Sequence, residues 1–231
     1  MADAEMSRKN VAKELAARRA LDFVEDGMVV GLGSGTTATI FIEELGRRVA
    51  GGLRIRAIAS SAASEELARS FGIEICDFER CPEIDVTVDG ADEIAPGLAL
   101  IKGGGGALLR EKIVASASRR FIIVADASKE VAALGAFPLP VEVITMALPL
   151  VRRRLMELGL EPRMRRHADG AEYITDEGNL ILDCACGRIK DPAQLAESIR
   201  HIVGVVEHGL FLGMAKLALI ADGEKVSERM A

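Results

Sequence analysis

Two aspartates, a lysine and a glutamate crowd around a run of four glycines in the stretch Asp85–Lys112, DVTVDGADEIAPGLALIKGGGGALLREK. The apolar run Val86–Val88 predicts a strand that delivers Asp89 and Asp92 at its C-terminal end, where open α/β sheets keep their ligand crevices. A second run, Leu98–Ile101, delivers Lys102 in the same way. Gly103–Gly106 interrupt regular structure and let backbone N–H groups approach a ligand, and the following ALLREKIVASAS has helical length, with Glu111 in an early turn. Acids and a cation beside a loop of bare amides suit proton transfer on a small anionic substrate. They do not suit nucleophilic catalysis: no Ser or Cys stands in a nucleophile elbow, and the histidines, His167, His201 and His208, lie far along the chain.

A second glycine cluster precedes this one. Met28–Leu32 reads as a buried strand running into GLGSGTT, with a helix then expected as far as Gly46. Glycines at a strand-to-helix turn expose N–H groups at the positive end of the helix dipole, which is an anion site without net charge. A dinucleotide fingerprint wants a third glycine where Thr36 stands and an acid after the next strand, Ile55–Ala59, which ends instead in Ser60 and Ser61. A nucleotide P-loop wants Gly-Lys-Ser/Thr, which is lacking. What survives is a hydroxyl-lined cradle for one phosphate, made by Ser34, Gly35, Thr36 and Thr37. Asp126-Ala127-Ser128-Lys129 follows a further strand, Phe121–Ala125, at the same sheet edge, so Lys129 is a second candidate cation.

The positioning elements alternate. A helix over 11–26, strands at Met28–Leu32, Ile55–Ala59, Ile73–Cys76 and Val86–Val88, and helices over 64–70 and from Ala107 to Ala117 imply a parallel sheet with right-handed crossovers, covered on both faces. From Phe137-Pro138-Leu139-Pro140 the texture changes to strand Val141–Thr145, helix Leu148–Leu158, strand Glu172–Thr175, turn, strand Leu180–Cys184, a helix opened by Asp191-Pro192, and strand Val203–Glu207. This β-α-β-β-α-β order is the split arrangement of ferredoxin-like modules. The expected fold is therefore α/β: a Rossmann-like, mostly parallel sheet domain over 1–134 plus 208–231, to which a last strand Leu217–Ala221 returns, and a smaller ferredoxin-like α+β domain over 135–207.

Composition narrows the partners. The 231 residues carry a formal net charge of −6, which argues against a general nucleic-acid or anionic-membrane surface. The N-terminus MADAEMSRKN has no apolar signal region and no apolar run reaches membrane-spanning length, so a cytoplasmic protein is expected. Cys76, Cys81, Cys184 and Cys186 do not read as a disulfide framework, nor as a metal site without a nearby histidine.

VDGADEI, IKGGGGALLREK, GLGSGTT, ADASK and PLPVEV, in this chain's spacing, resemble the A type of ribose-5-phosphate isomerase over essentially the whole length. The resemblance implies cofactor-independent, metal-free interconversion of D-ribose 5-phosphate and D-ribulose 5-phosphate in the non-oxidative pentose phosphate pathway, by a homodimer or homotetramer. It implies substrate binding at Ser34, Gly35, Thr36 and Thr37, at Asp89, Gly90, Ala91 and Asp92, at Lys102, Gly103, Gly104 and Gly105, and at Lys129, with Lys13 near the site. Gly106 and Leu109 depart from the family, which frequently has alanine and a polar residue there.

Aldose–ketose isomerisation needs one base reaching two adjacent carbons, donors facing the oxyanion, and acids for hydroxyl protons and ring opening. Glu111 is the expected base, its pKa raised by partial burial. Lys102 and the amides of Gly103–Gly105 face the oxyanion, and Asp89 and Asp92 share a proton by mutual repulsion. Two rival expectations are a magnesium site at Asp89, Asp92 and Glu93 for phosphoryl transfer, and a phosphosugar-sensing module.

Overall fold

The computed structural model describes residues 2–231, with side chains described from Val11 onward. Met1 and the side chains of the N-terminal segment lie outside the described residues. In chain order the elements are α1 (Ala2–Ala20), β1 (Val29–Leu32), α2 (Thr36–Ala50), β2 (Arg56–Ala59), α3 (Ala62–Ser70), β3 (Glu74–Ile75), β4 (Ile84–Asp89), β5 (Glu93–Ala95), β6 (Ala99–Ile101), α4 (Leu108–Ser116) and β7 (Ser118–Asp126). There follow β8 (Leu139–Val143), α5 (Leu148–Glu157), β9 (Glu161–Met164), β10 (Leu180–Ala185), α6 (Pro192–Arg200), β11 (Val205–His208), β12 (Leu210–Phe211), β13 (Leu217–Asp222) and β14 (Lys225–Met230).

Seven strands form the main sheet in the order β14-β13-β7-β4-β1-β2-β3, parallel except for the β13–β14 hairpin. The chain runs outward from β1 through β2 to β3, then returns to β4 on the other side of β1. That reversal between β1 and β4 opens the crevice in which doubly wound sheets bind ligands. Buried strands separate their side chains by period two. Val30 and Leu32, Val86 and Val88, and Ile122 and Val124 face a core shared with Ala16 and Ala20 of α1 and Phe41, Ile42 and Leu45 of α2. Phe121, Ile123 and Ala125, with Ala218 and Ile220, face the opposite layer.

That opposite layer is not made of helices alone. β5 and β6 pair antiparallel with each other, and β6 pairs with β12, making a separate three-stranded sheet whose Leu100 and Phe211 pack under β7. The strand ending at Lys102 therefore belongs to this sheet rather than to the one ending at Asp89. The four-stranded antiparallel sheet has the order β11-β8-β10-β9, the fourth-first-third-second arrangement expected of the split motif. Its inner strand β8 presents Leu139, Val141 and Val143 to Val151 and Leu155 of α5 and Ile199 of α6.

Several boundaries differ from expectation. α1 ends at Ala20 with a short 3-10 turn, Leu21–Phe23, before Asp26. α2 continues past Gly46 because a bare Cα there admits Phe71, whose ring carbons would lie within 3 Å of an added Cβ. Glu172–Thr175 forms only isolated bridges, Arg166 to Glu172 and Ile174 to Leu180, and the outer strand is β9 instead. Cys76 and Cys81 are disulfide-bonded, which the sequence reading did not expect, while Cys184 and Cys186 are free.

Candidate active site

β1 and β4 are stitched together where the chain reverses. Gly33 N donates to Val88 O at 2.9 Å, and Ser34 N donates to Asp89 Oδ1 at 3.0 Å. Gly33 is required there, since an added Cβ would stand 2.2 Å from Asp89 Oδ1. Ser34 Oγ meets Ser60 Oγ at 2.8 Å, and Ser64 Oγ donates to Gly33 O, so the turn is braced from behind by α3. Thr36 and Thr37 then open α2, with their amides at its positive end. Lys13, reaching from α1, donates from Nζ to Thr36 Oγ1 at 3.0 Å.

A cavity of about 140 Å³ joins this turn to the second glycine loop. Its wall includes Lys13, Ser34 to Thr37, Gly90 to Asp92, Lys102 to Gly105, Glu111, Asp126 and Lys129. The ends of β1, β4, β6 and β7 and the start of α4 thus converge on one space. Every expected site residue lines it except Asp89, which is 1% exposed and sits behind Lys102.

Lys102 is buried with all three ammonium directions engaged. It donates to Gly90 O at 2.6 Å and pairs with Asp89 Oδ2 at 2.8 Å and Glu111 Oε2 at 3.3 Å. Burial works against this charge, but Asp89, Glu111 and Asp92 more than offset it and hold the ammonium pKa above the ordinary lysine value. The Glu111 contact is an ion pair without a well-directed hydrogen bond, leaving Oε2 without a hydrogen-bond partner. Burial, opposed by Lys102 and reinforced by Asp89, pushes the Glu111 carboxyl up to about 7.

Asp89 and Asp92 do not form a proton-sharing dyad. Asp89 is committed to Lys102, Ser34 N and Gly90 N, whereas Asp92 Oδ2 accepts from Gly104 N at 2.7 Å. The three-residue spacing led to the expectation of a shared proton, but Asp89 ends β4 and Asp92 precedes β5, and each carboxylate is bound to its own partners. Glu93 turns away altogether to accept from Gly135 N and Phe137 N at 2.7 and 2.6 Å, which removes it from any magnesium set with its neighbours.

The family model for ribose 5-phosphate isomerase A (phosphoriboisomerase A) matches residues 56–225. The ribose-5-phosphate isomerase A of Roseiflexus castenholzii is 52% identical over 92% of both chains, and that of Sphingopyxis alaskensis is 50% identical over 97% of this chain and 98% of its own. The chain belongs to the ribose-5-phosphate isomerase A family. It is an enzyme, and the family interconverts ribose 5-phosphate and ribulose 5-phosphate. A solved D-ribose-5-phosphate isomerase in complex with phospho-erythronic acid superposes with a TM-score of 0.92 at 36% identity, covering 95% of this chain and 98% of that one. The Methanocaldococcus jannaschii ribose 5-phosphate isomerase A superposes at 0.91 with 38% identity over 95% and 98% of the two chains.

Asp126 was missed by the sequence reading although ADASK was singled out. It ends β7 on the cavity wall, caps the following turn by accepting from Ser128 N at 3.0 Å, and occupies the strand-end position that marked Asp89. The strand-end rule, applied to β7 as to β4, was the available signal. Arg165 and Tyr173, which touch the glycine loop from the edge of the small sheet, had no such signal: β9, which Arg165 follows, was not expected, and Tyr173 was expected in a strand that forms only isolated bridges.

Proposed function

We propose that the isomerisation proceeds through an enediolate with Glu111 as the single base, the reading carried by its place beside Lys102 in the cavity that also holds the Ser34–Thr37 turn. A carboxyl raised to about 7 is half ionised near neutrality, poised to take a proton from one carbon and return it to the next. The N–H groups of Gly103 and Gly105 and the Lys102 ammonium hold the developing oxyanion, while Gly104 N–H is engaged by Asp92. The third ammonium direction, shared loosely with Glu111, is the one a substrate oxygen takes. Asp89 fixes Lys102, and Asp92, on the cavity wall, exchanges hydroxyl protons and assists ring opening. Ser34, Gly35, Thr36 and Thr37 with Lys13 and Lys129 bind the phosphate, while Gly90 and Ala91 complete the sugar wall.

The phospho-erythronic acid of the related complex supports this reading, because a planar carboxylate on a four-carbon phosphate resembles an enediolate in shape and charge. Further parts of the reading are a division into 1–134 plus 208–231 and 135–207, assembly as a homodimer or homotetramer, and a cytoplasmic role in the pentose phosphate pathway. The four-stranded sheet, set apart from the parallel one, supports the division, and the cluster buried beneath it joins the two parts by taking in Ala95, Ile101, Leu134 and Leu210. No helix among the described residues is long and apolar enough to cross a membrane.

The deciding experiment supplies ribose 5-phosphate to the purified protein in D₂O with EDTA. Ketopentose formation, with solvent deuterium entering the carbon next to the carbonyl, is the expected result. Isomerisation with no exchange under any condition speaks for internal hydride transfer and removes Glu111 as a base.

A further inference from the structure

The glycine loop is held from outside the cavity by side chains of the small sheet. Arg165, just after β9, donates from Nη1 to Gly103 O at 2.8 Å and to Gly104 O at 3.2 Å. Its other edge is fixed by Asp183 of β10, with Nε to Oδ2 at 2.9 Å and Nη2 to Oδ1 at 2.5 Å. Tyr173 donates from its hydroxyl to Gly105 O at 3.1 Å, and its ring lies 5.7 Å from the Arg165 guanidinium. Three successive carbonyls are thus gripped by one fork and one phenol.

The peptide bonds are trans, so a carbonyl tied outward turns the next residue's N–H to the opposite side. Arg165 is not part of the cavity wall, whereas Gly103, Gly104 and Gly105 are. Gripping Gly104 O outward therefore aims Gly105 N–H inward, and the grip on Gly103 O holds Gly104 N–H at Asp92. Glycines do not hold such an orientation unaided, since their backbone is the least restricted of any residue. Gly106 completes the fit: its φ is +88°, and an added Cβ would stand 2.1 Å from the Tyr173 hydroxyl, so the phenol fills the space a side chain would take.

We propose that Arg165 and Tyr173 are positioning residues for the isomerisation that do not touch substrate: Arg165, through Gly104 O, aims Gly105 N–H at the oxyanion, and Tyr173, through Gly105 O, fixes the next peptide, whose Gly106 N–H closes the loop onto Gly103 O at 3.0 Å. This rests on the assignment of the Gly105 amide to the oxyanion. A donor displaced by about an ångström loses much of its worth in the transition state and little in ground-state phosphate binding.

The test compares Arg165→Met, Tyr173→Phe and Glu111→Gln in the full chain, by steady-state kinetics on ribose 5-phosphate and by inhibition with phospho-erythronic acid and with inorganic phosphate. Arg165→Met is expected to lower kcat by roughly 10²-fold with KM within about threefold. Its affinity for phospho-erythronic acid falls while that for inorganic phosphate holds. Tyr173→Phe, which keeps the ring and loses one hydrogen bond, follows the same pattern at about five- to tenfold and serves alone if Arg165→Met does not fold. A folded Tyr173→Phe or Arg165→Met protein with unchanged kcat and unchanged phospho-erythronic acid inhibition, whatever its thermal stability, overturns the proposal. Glu111→Gln separates the two failures: if it too turns over normally the catalytic reading falls, and if it alone is inactive only the positioning role does.

Discussion

Glu111 lies on the first turns of α4, 4% exposed, between a cation that stabilises its charge and a burial that does not. Burial is the larger influence and sets the carboxyl near 7. A base works only when deprotonated, so kcat/KM rises with pH through about 7 and then levels, the protonated form being the inactive one. Lys102, held above the ordinary lysine value, stays charged across that interval and adds no inflection of its own. Glu111→Gln removes the rise and lowers kcat by roughly 10²- to 10⁴-fold. A wild-type profile flat across neutrality, or a glutamine variant with near-normal turnover, rules out this base.

At the scale of elements, α4 carries Glu111 and is itself anchored by its neighbour Lys112. Lys112 Nζ donates to Glu207 Oε1 at 2.8 Å and to His208 O at 2.6 Å, and stands 4.8 Å over the Phe211 ring, so α4 is tied to β11 and β12. Burial pulls this ammonium down to about 8 and the adjacent His208 imidazole to about 4, so the histidine is neutral at pH 7. Replacing Lys112 by Met strands a half-buried carboxylate and a buried carbonyl and is expected to cost about 2–4 kcal/mol. A lower urea midpoint with unchanged slope is the measurement that checks it, and an unmoved midpoint contradicts the anchor.

The same elements show what could be read from the chain beforehand. β1, β4 and β7 announced themselves because strands buried on both faces are continuous apolar runs, and α6 because Asp191 caps it by accepting from Gln194 N at 2.9 Å. β9 and β14 were invisible for a common reason. They are outer strands, EPRM and KVSERM, whose exposed faces carry charged residues and whose pairing is supplied by β10 and β13 rather than by their own periodicity. The site was legible in its glycines and strand ends, which are local. Whether Asp89 and Asp92 face each other, and that Arg165 and Tyr173 reach the loop, depends on long-range packing that spacing does not encode.

For the whole molecule, the cavity lies between the parallel and the three-stranded sheets, with the four-stranded sheet bracing its glycine loop from outside, and each contributes a different part of the chemistry. The parallel sheet supplies the Ser34–Thr37 turn and Asp89, the three-stranded sheet supplies Lys102 at the end of β6, and the four-stranded sheet reaches the glycine loop through Arg165 and Tyr173. Arg110 of α4 adds a further tie, pairing with Asp176 and Glu177 in the turn before β10, and Asp176 also accepts from Ala62 N at the start of α3. A ligand spanning the cavity is therefore expected to slow amide exchange in all three layers, because local opening of any one loosens contacts the ligand makes in the others. Phospho-erythronic acid at saturation should protect residues 34–37, 102–106 and the 165–173 segment together. Inorganic phosphate, brought to the same fractional occupancy, should protect 34–37 and leave the glycine loop exchanging as in the free protein. Hydrogen exchange read by mass spectrometry distinguishes the two patterns. If phosphate alone protects the glycine loop as strongly as the longer ligand does, then the phosphate turn, rather than the oxyanion end, orders the site, and the division of labour among the three sheets is wrong.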